Sequence, residues 1–211
     1  MPQYTKPIGK KCIIGIIIFI FMLIPSFVMA ETLIKSKPPE YKNFCLILNS
    51  GLTDYSQAQI KYIIWTQEES ELAAIEKIIQ QTNLTWKKTI LRNYFQNKAY
   101  EYIAQINISK NEEAEILNTY LFLNQKMKKF KAKVYMEEII AANININDFL
   151  QKNNVVNLER IIISNMTSVT GFAEGLDQGI SLNGRPVNFQ IMTRTNNLSP
   201  GRTILAFPAL Y

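Results

Sequence analysis

No histidine occurs among the 211 residues, and only two cysteines do. Without imidazole there is no Ser-His-Asp or Cys-His catalysis and no imidazole metal ligand. Two cysteines are too few for a disulfide scaffold. Several motifs are missing as well: there is no G-x-S-x-G nucleophile elbow, no S-x-x-K serine–lysine arrangement and no glycine-rich phosphate loop. There is no low-complexity segment. What is present is a chain 47% hydrophobic and 19% charged. That is too apolar to stay disordered, and long enough for one domain or for two small subdomains sharing a core.

One apolar run stands out. Lys6, Lys10 and Lys11 precede an unbroken stretch over residues 12–24, and Pro25, Ser26 and then Val28-Met29-Ala30 follow. A basic start, an apolar middle and a small-residue end make the layout of a secretory signal peptide. The run is short of the roughly 20 residues a membrane span needs. Counted through to Ala30 it approaches that length. Residues 1–30 are therefore read as a signal peptide, or as an uncleaved signal anchor that touches the membrane through 12–24 with the domain outside. A buried core helix is the bland alternative, but no polar residue gives such a helix a solvent face. Cys12 sits at the start of the run, where a lipid-modified cysteine would sit at its end. Removing residues 1–30 takes three lysines and no acid, which halves the net charge of +6. So small a residual charge does not argue for nucleic acid as a partner. Cys45 is then the remaining cysteine, read as a small buried hydrophobe rather than a reactive thiol.

The rest of the chain reads as alternating helices and strands. After a Ser-Lys-Pro-Pro linker at 36–39, Tyr41, Phe44, Cys45, Leu48 and Leu52 have helical spacing, and Gly51 can end that helix. Residues 60–65 are β-rich. Thr66 and Glu69 have capping-box spacing ahead of an apolar stripe, which predicts a helix over about 68–81. Residues 86–95 and 99–108 read as paired strands. Ser109 and Glu112 repeat the capping box before a segment with acids at its front and lysines at its end, in accord with a helix dipole. Residues 132–140 read as a strand, Asn147 as the cap of a short helix, and 161–170 as a single strand. Asn183-Gly184 signals a type I′ hairpin, because both central positions need positive φ. Ser199-Pro200-Gly201 reads as a turn before a last strand at 203–207. The sum is an α+β fold, helices packed on antiparallel sheets, with an amino-terminal half at 31–130 and a carboxyl-terminal half at 131–211.

The carboxyl end carries a family resemblance. It contains Ser168-Val169-Thr170-Gly171-Phe172, then Gly184-Arg185-Pro186-Val187-Asn188, then Arg202-Thr203-Ile204 and Pro208 ahead of Tyr211. This resembles the YwmB-like family of Gram-positive, often spore-forming bacteria, also labelled "TATA-box binding-like". The resemblance covers residues 158–211 in sequence and 39–157 only in architecture. Phe207 stands where the family has Gly before its terminal Pro, and the region 143–157 is shorter. The resemblance implies two TBP-like halves and an exported protein, and it implies no catalytic residue and no cofactor.

The acids are the other source of chemistry in the sequence. Glu68-Glu69-Glu71 and Glu112-Glu113-Glu115 sit where the first turn of a helix favours acids. Glu137 and Glu138 are adjacent on a strand and face opposite sides, so they cannot easily share a ligand. No catalytic residue and no metal ligand is nominated. The candidate binding residues are cations. Lys126, Lys128 and Lys129 form a basic cluster that a helix C-terminus would also explain. Arg185, Arg194 and Arg202 lie on the carboxyl-terminal strands and would suit a phosphate or carboxylate if they shared a face. Arg194 and Arg202 flank one turn, which allows them to be cross-strand neighbours. The expected function is a non-catalytic binding module at the cell envelope, in a wall or sporulation context, with an envelope protein or an anionic wall polymer as partner. The alternatives are a hydrolase working with carboxylates alone and nucleic-acid binding through a TBP-like sheet.

Overall fold

A computed structural model describes residues 44–92, 98–176, 179–196 and 199–208, all within one unit, Asn43–Tyr211. The apolar run at 12–24 and the linker at 36–39 lie outside the described residues. Among those described, no helix is long and apolar enough to cross a membrane.

The fold is α+β. Its frame is an eight-stranded antiparallel sheet in the order β2-β3-β1-β4-β10-β9-β6-β5. The strands are β1 Gln57–Thr66, β2 Trp86–Arg92, β3 Lys98–Ser109, β4 Ala132–Ile140, β5 Val156–Ile163, β6 Met166–Phe172, β9 Phe189–Asn196 and β10 Ser199–Phe207. A separate hairpin pairs β7 Ile180–Leu182 with β8 Arg185–Val187. The first four strands in the chain fill one side of the sheet, and β4 pairs with the last strand to join the other side.

Alternation decides which face is covered. Along β1 the even residues from Ala58 to Thr66 are buried, while most odd ones are half-exposed. Such a period of two marks one packed face and one wetter face. Three helices lie on the packed face: α1 Leu72–Ile79, α2 Glu113–Met127 and α3 Ile146–Lys152. Tyr62 of β1 donates its hydroxyl to the Ile116 carbonyl of α2 at 2.8 Å. Burial raises the Tyr62 phenol pKa above its ordinary value. Tyr120 of α2 stacks against Phe207 at 5.7 Å, and Phe44 meets Phe149 of α3, Phe189 and Phe207 at 5.4–6.3 Å. The segment from Phe44 therefore seals the core between α3 and the β9–β10 side.

Some expected elements are present as read. Ser109 and Glu112 form the capping box: the Ser109 hydroxyl and its backbone N–H both donate to Glu112 Oε2 at 2.7 Å, and these bonds, the hydroxyl's first, hold the Glu112 carboxyl below the usual range. Asn183 and Gly184 have φ of 50° and 77°, the type I′ signature. Others differ. Of the helix expected through residues 41–52, the described part holds only a 3₁₀ turn, Leu48–Ser50, though Gly51 does adopt the left-handed form at φ 73°. Thr66 makes no capping box, since it ends β1, and its Oγ1 accepts from Glu68 N at 3.1 Å and donates to Lys131 O at 3.3 Å. The single strand expected at 161–170 is a hairpin, folded back at Ser164, whose φ is 52°. Ser199-Pro200-Gly201 lies inside β10, where the register with β9 shifts before Arg202.

Candidate functional site

Two buried carboxyl groups converge at the centre of the packed face. Glu113 opens α2 and Glu138 lies on β4, and they are 1% and 0% exposed. Glu113 accepts from Leu48 N at 2.6 Å and from Asn49 N at 2.8 Å. Glu138 accepts from Ile47 N at 2.8 Å and, more weakly, from Leu48 N at 3.4 Å. Burial, then the hydrogen bond and charge of Glu113, push the Glu138 carboxyl well above the usual range. A raised carboxyl is what two acids side by side require, because like charges in contact oppose ionising together. The pair therefore secures a backbone turn. Its oxygens already accept from peptide N–H groups, and it lines none of the surface hollows described below. Sequence reading missed it because α2 and β4 come together only in the fold. Glu137 and Glu138 lie on opposite faces of β4, as strand alternation predicts.

The opposite face of the sheet carries none of the three helices. At its centre Trp65 faces Glu101 on one side and Lys133 on the other, and the next row places Ile63 between Ile103 and Tyr135. All of these but Ile103 line a shallow hollow of about 350 Å³. Toward β8 the face closes over: Ser168, Thr170, Gln190 and Ala206 are buried, and Gln190 Nε2 donates to Ser168 Oγ at 2.8 Å.

At the far end of the same face stands a pair of like charges. Arg194 of β9 lies directly opposite Arg202 of β10, and Arg194 lies opposite Met166 of β6 on its other side. Met166 in turn faces Ile163 of β5. One row across four strands thus reads Ile163, Met166, Arg194, Arg202. Both arginines are exposed, and neither has an ion pair or hydrogen bond to a described residue. The sequence allowed this cross-strand placement for Arg194 and Arg202 as one alternative to separate side chains, and the register gives it for that pair.

The other nominated cations lie elsewhere. Arg185 is exposed on β8, in the separate hairpin. Lys126 is in the last turn of α2 with its ammonium 5.6 Å from the Phe122 ring, Lys128 caps the helix, and Lys129 sits 4.9 Å over Phe130. A second hollow of about 330 Å³ lies between α1 and β2–β3. Its polar groups answer one another: Glu76 Oε1 receives Lys88 Nζ and the Tyr102 hydroxyl, each at 2.9 Å, which together hold the Glu76 carboxyl below the usual range. Cys45 is half-buried, and its N–H donates to Asn153 Oδ1 at 2.7 Å. Among the described residues no cluster of acids or cysteines could hold a metal ion.

No protein-family model and no curated protein matches the chain. Among solved structures, the ligand-free regulatory subunit of aspartate kinase from Thermus thermophilus is similar at 11% identity, over 74% of this chain and 85% of that one. Its TM-score of 0.22 is too low to carry an argument about fold or ligand.

Proposed function

We propose that the chain is a non-catalytic binding module of the cell envelope that takes an anionic ligand on the open face of its sheet. The observation that carries this is the facing pair Arg194 and Arg202 without an acid to compensate it. Like charges directly opposite on neighbouring strands destabilise a sheet, by up to about 1 kcal/mol. A phosphate or carboxylate between two planar guanidinium groups turns that repulsion into charge-assisted hydrogen bonds. The leader at residues 1–30 and the resemblance to YwmB-like proteins support export. In that compartment an anionic wall polymer or an acidic envelope protein fits the arginines better than nucleic acid does. The hydrolase reading finds less support, because the two acids that converge, Glu113 and Glu138, already hold the backbone of residues 47–49.

The test titrates the protein with inorganic polyphosphate as a soluble anionic probe. Arg194→Gln with Arg202→Gln should weaken binding by at least about tenfold, or ~1.4 kcal/mol. Replacing Lys126, Lys128 and Lys129 by Gln should leave it nearly unchanged. The opposite pattern would move the site to the helix end and overturn this assignment. Cell fractionation with mass spectrometry of the amino terminus tests export, and a cytosolic product retaining Met1 would contradict it.

A further inference from the structure

The corner of the sheet beside the arginines is apolar in a way that the opposite edge is not. β5 is an edge strand, and all eight of its residues are exposed. Ile161, Ile162 and Ile163 are 50%, 67% and 57% exposed, and they lead directly into the turn at Ser164. Glu159, the acid of this strand, faces Thr170, further from the turn. On the other edge, β2 also exposes Ile90 and Leu91, but Lys87 and Lys88 precede them and Arg92 follows directly. Charged side chains, lysine above all, are an ordinary protection of a sheet edge. β5 carries Arg160 and then three isoleucines, of which Ile161 and Ile163 lie on the same face as Met166, Arg194 and Arg202, while Ile162, opposite Thr167, lies on the other.

We propose that this corner docks on an anionic lipid bilayer, with the β5–β6 tip entering the interface and Arg194 and Arg202 taking headgroup phosphates. The inference rests on the anion-binding reading above and names its ligand. A soluble polyanion would satisfy the arginines and leave the isoleucines in water. A second copy paired along β5 would cover the isoleucines and leave the arginines facing each other. An anionic bilayer answers both, because interfacial binding combines buried apolar surface with attraction to anionic lipid. Insertion is shallow, since the outward backbone groups of an edge strand need water or headgroup partners. The apolar run at 12–24, where it is retained, would keep the domain beside such a surface.

The experiment is hydrogen–deuterium exchange on the full chain in phosphatidylcholine vesicles with and without phosphatidylglycerol. The leader can tether the chain in either case, so the readout is the tip. Exchange over residues 159–166 should slow about tenfold only with phosphatidylglycerol, matching one 1.4 kcal/mol step. The effect should vanish in Ile161→Ser with Ile163→Ser, and also in Arg194→Gln with Arg202→Gln. It should fade at high salt, as screening shortens from ~10 Å at 0.1 M to ~3 Å at 1 M. Equal protection without phosphatidylglycerol would overturn the proposal. So would protection that grows with protein concentration and needs no vesicles, which would assign the edge to a second copy. Equal protection by polyphosphate alone would overturn the lipid assignment while leaving anion binding intact. No response to either vesicles or polyphosphate would sink both.

Discussion

Glu113 and Glu138 hold the turn at residues 47–49 unequally, and that inequality can be measured. Both oxygens of Glu113 accept short bonds from backbone N–H groups. A glutamine there would aim an amide NH₂ at one of those donors, so Glu113→Gln should cost about 1–3 kcal/mol. Glu138 makes one short and one long bond, and burial beside Glu113 holds its carboxyl well above the usual range. Glutamine resembles a neutral acid more than a carboxylate, so Glu138→Gln should be close to neutral. Urea denaturation of the two variants checks the contrast. The pH dependence follows from the same group. A carboxyl raised in the folded state binds more protons than it does unfolded, so its contribution is complete below the ordinary carboxylate range and is lost as pH rises through the raised value. Stability measured upward from acid should therefore carry a downward component that Glu138→Gln removes. Opposite contributions come from Glu76 and Glu112, which are held low but lie near the surface. None of this pairing was legible in the sequence. Strand alternation placed Glu137 and Glu138 apart correctly, but a partner 25 residues earlier is brought close only by tertiary packing.

Among the secondary-structure elements, the sequence was most legible where one local interaction settles the backbone. Ser109 with Glu112 forms its capping box, and Asn183-Gly184 turns its hairpin. Glu112→Ala should lower stability by about 0.5–2 kcal/mol, read as a shifted thermal midpoint, because it unmakes that cap. Legibility failed where tertiary partners override local pattern. The helical spacing around Leu48 yields one 3₁₀ turn, because the N–H groups of 47–49 are taken by two carboxyl groups from α2 and β4. The run at 161–170 looked like one strand because Ser164-Asn165 is a weaker turn signal than a glycine pair. The hairpin formed there is held down by close packing at Gly171. A methyl group at that position would come within 2.6 Å of Val155 Cγ1 and 3.1 Å of Leu158 Cδ2. Gly171→Ala should cost about 1–3 kcal/mol and should speed hydrogen exchange in β5 more than in β1.

At the scale of the whole molecule, the sheet separates two jobs. One face is filled by three helices and the segment from Phe44, and its core holds the acid pair. The other carries Trp65 and Tyr135 at its centre and the arginine row at its end. Arg194 and Arg202 could be nominated from sequence because they flank one turn. Their shared row with Ile163 could not, because it depends on β5 joining the sheet beyond β6 and on a register that no local pattern reveals. The lysines at the end of α2 are as visible in sequence, yet Lys128 caps the helix and Lys126 and Lys129 lie against aromatic rings. The most direct measurement is an NMR titration with inorganic polyphosphate, following the arginine Nε–H signals. The arginine-pair site predicts that the Arg194 and Arg202 signals shift together, with one saturation curve, while Arg185 stays still. Saturable shifts at Arg185 or in the lysines of α2, with Arg194 and Arg202 unmoved, would contradict it.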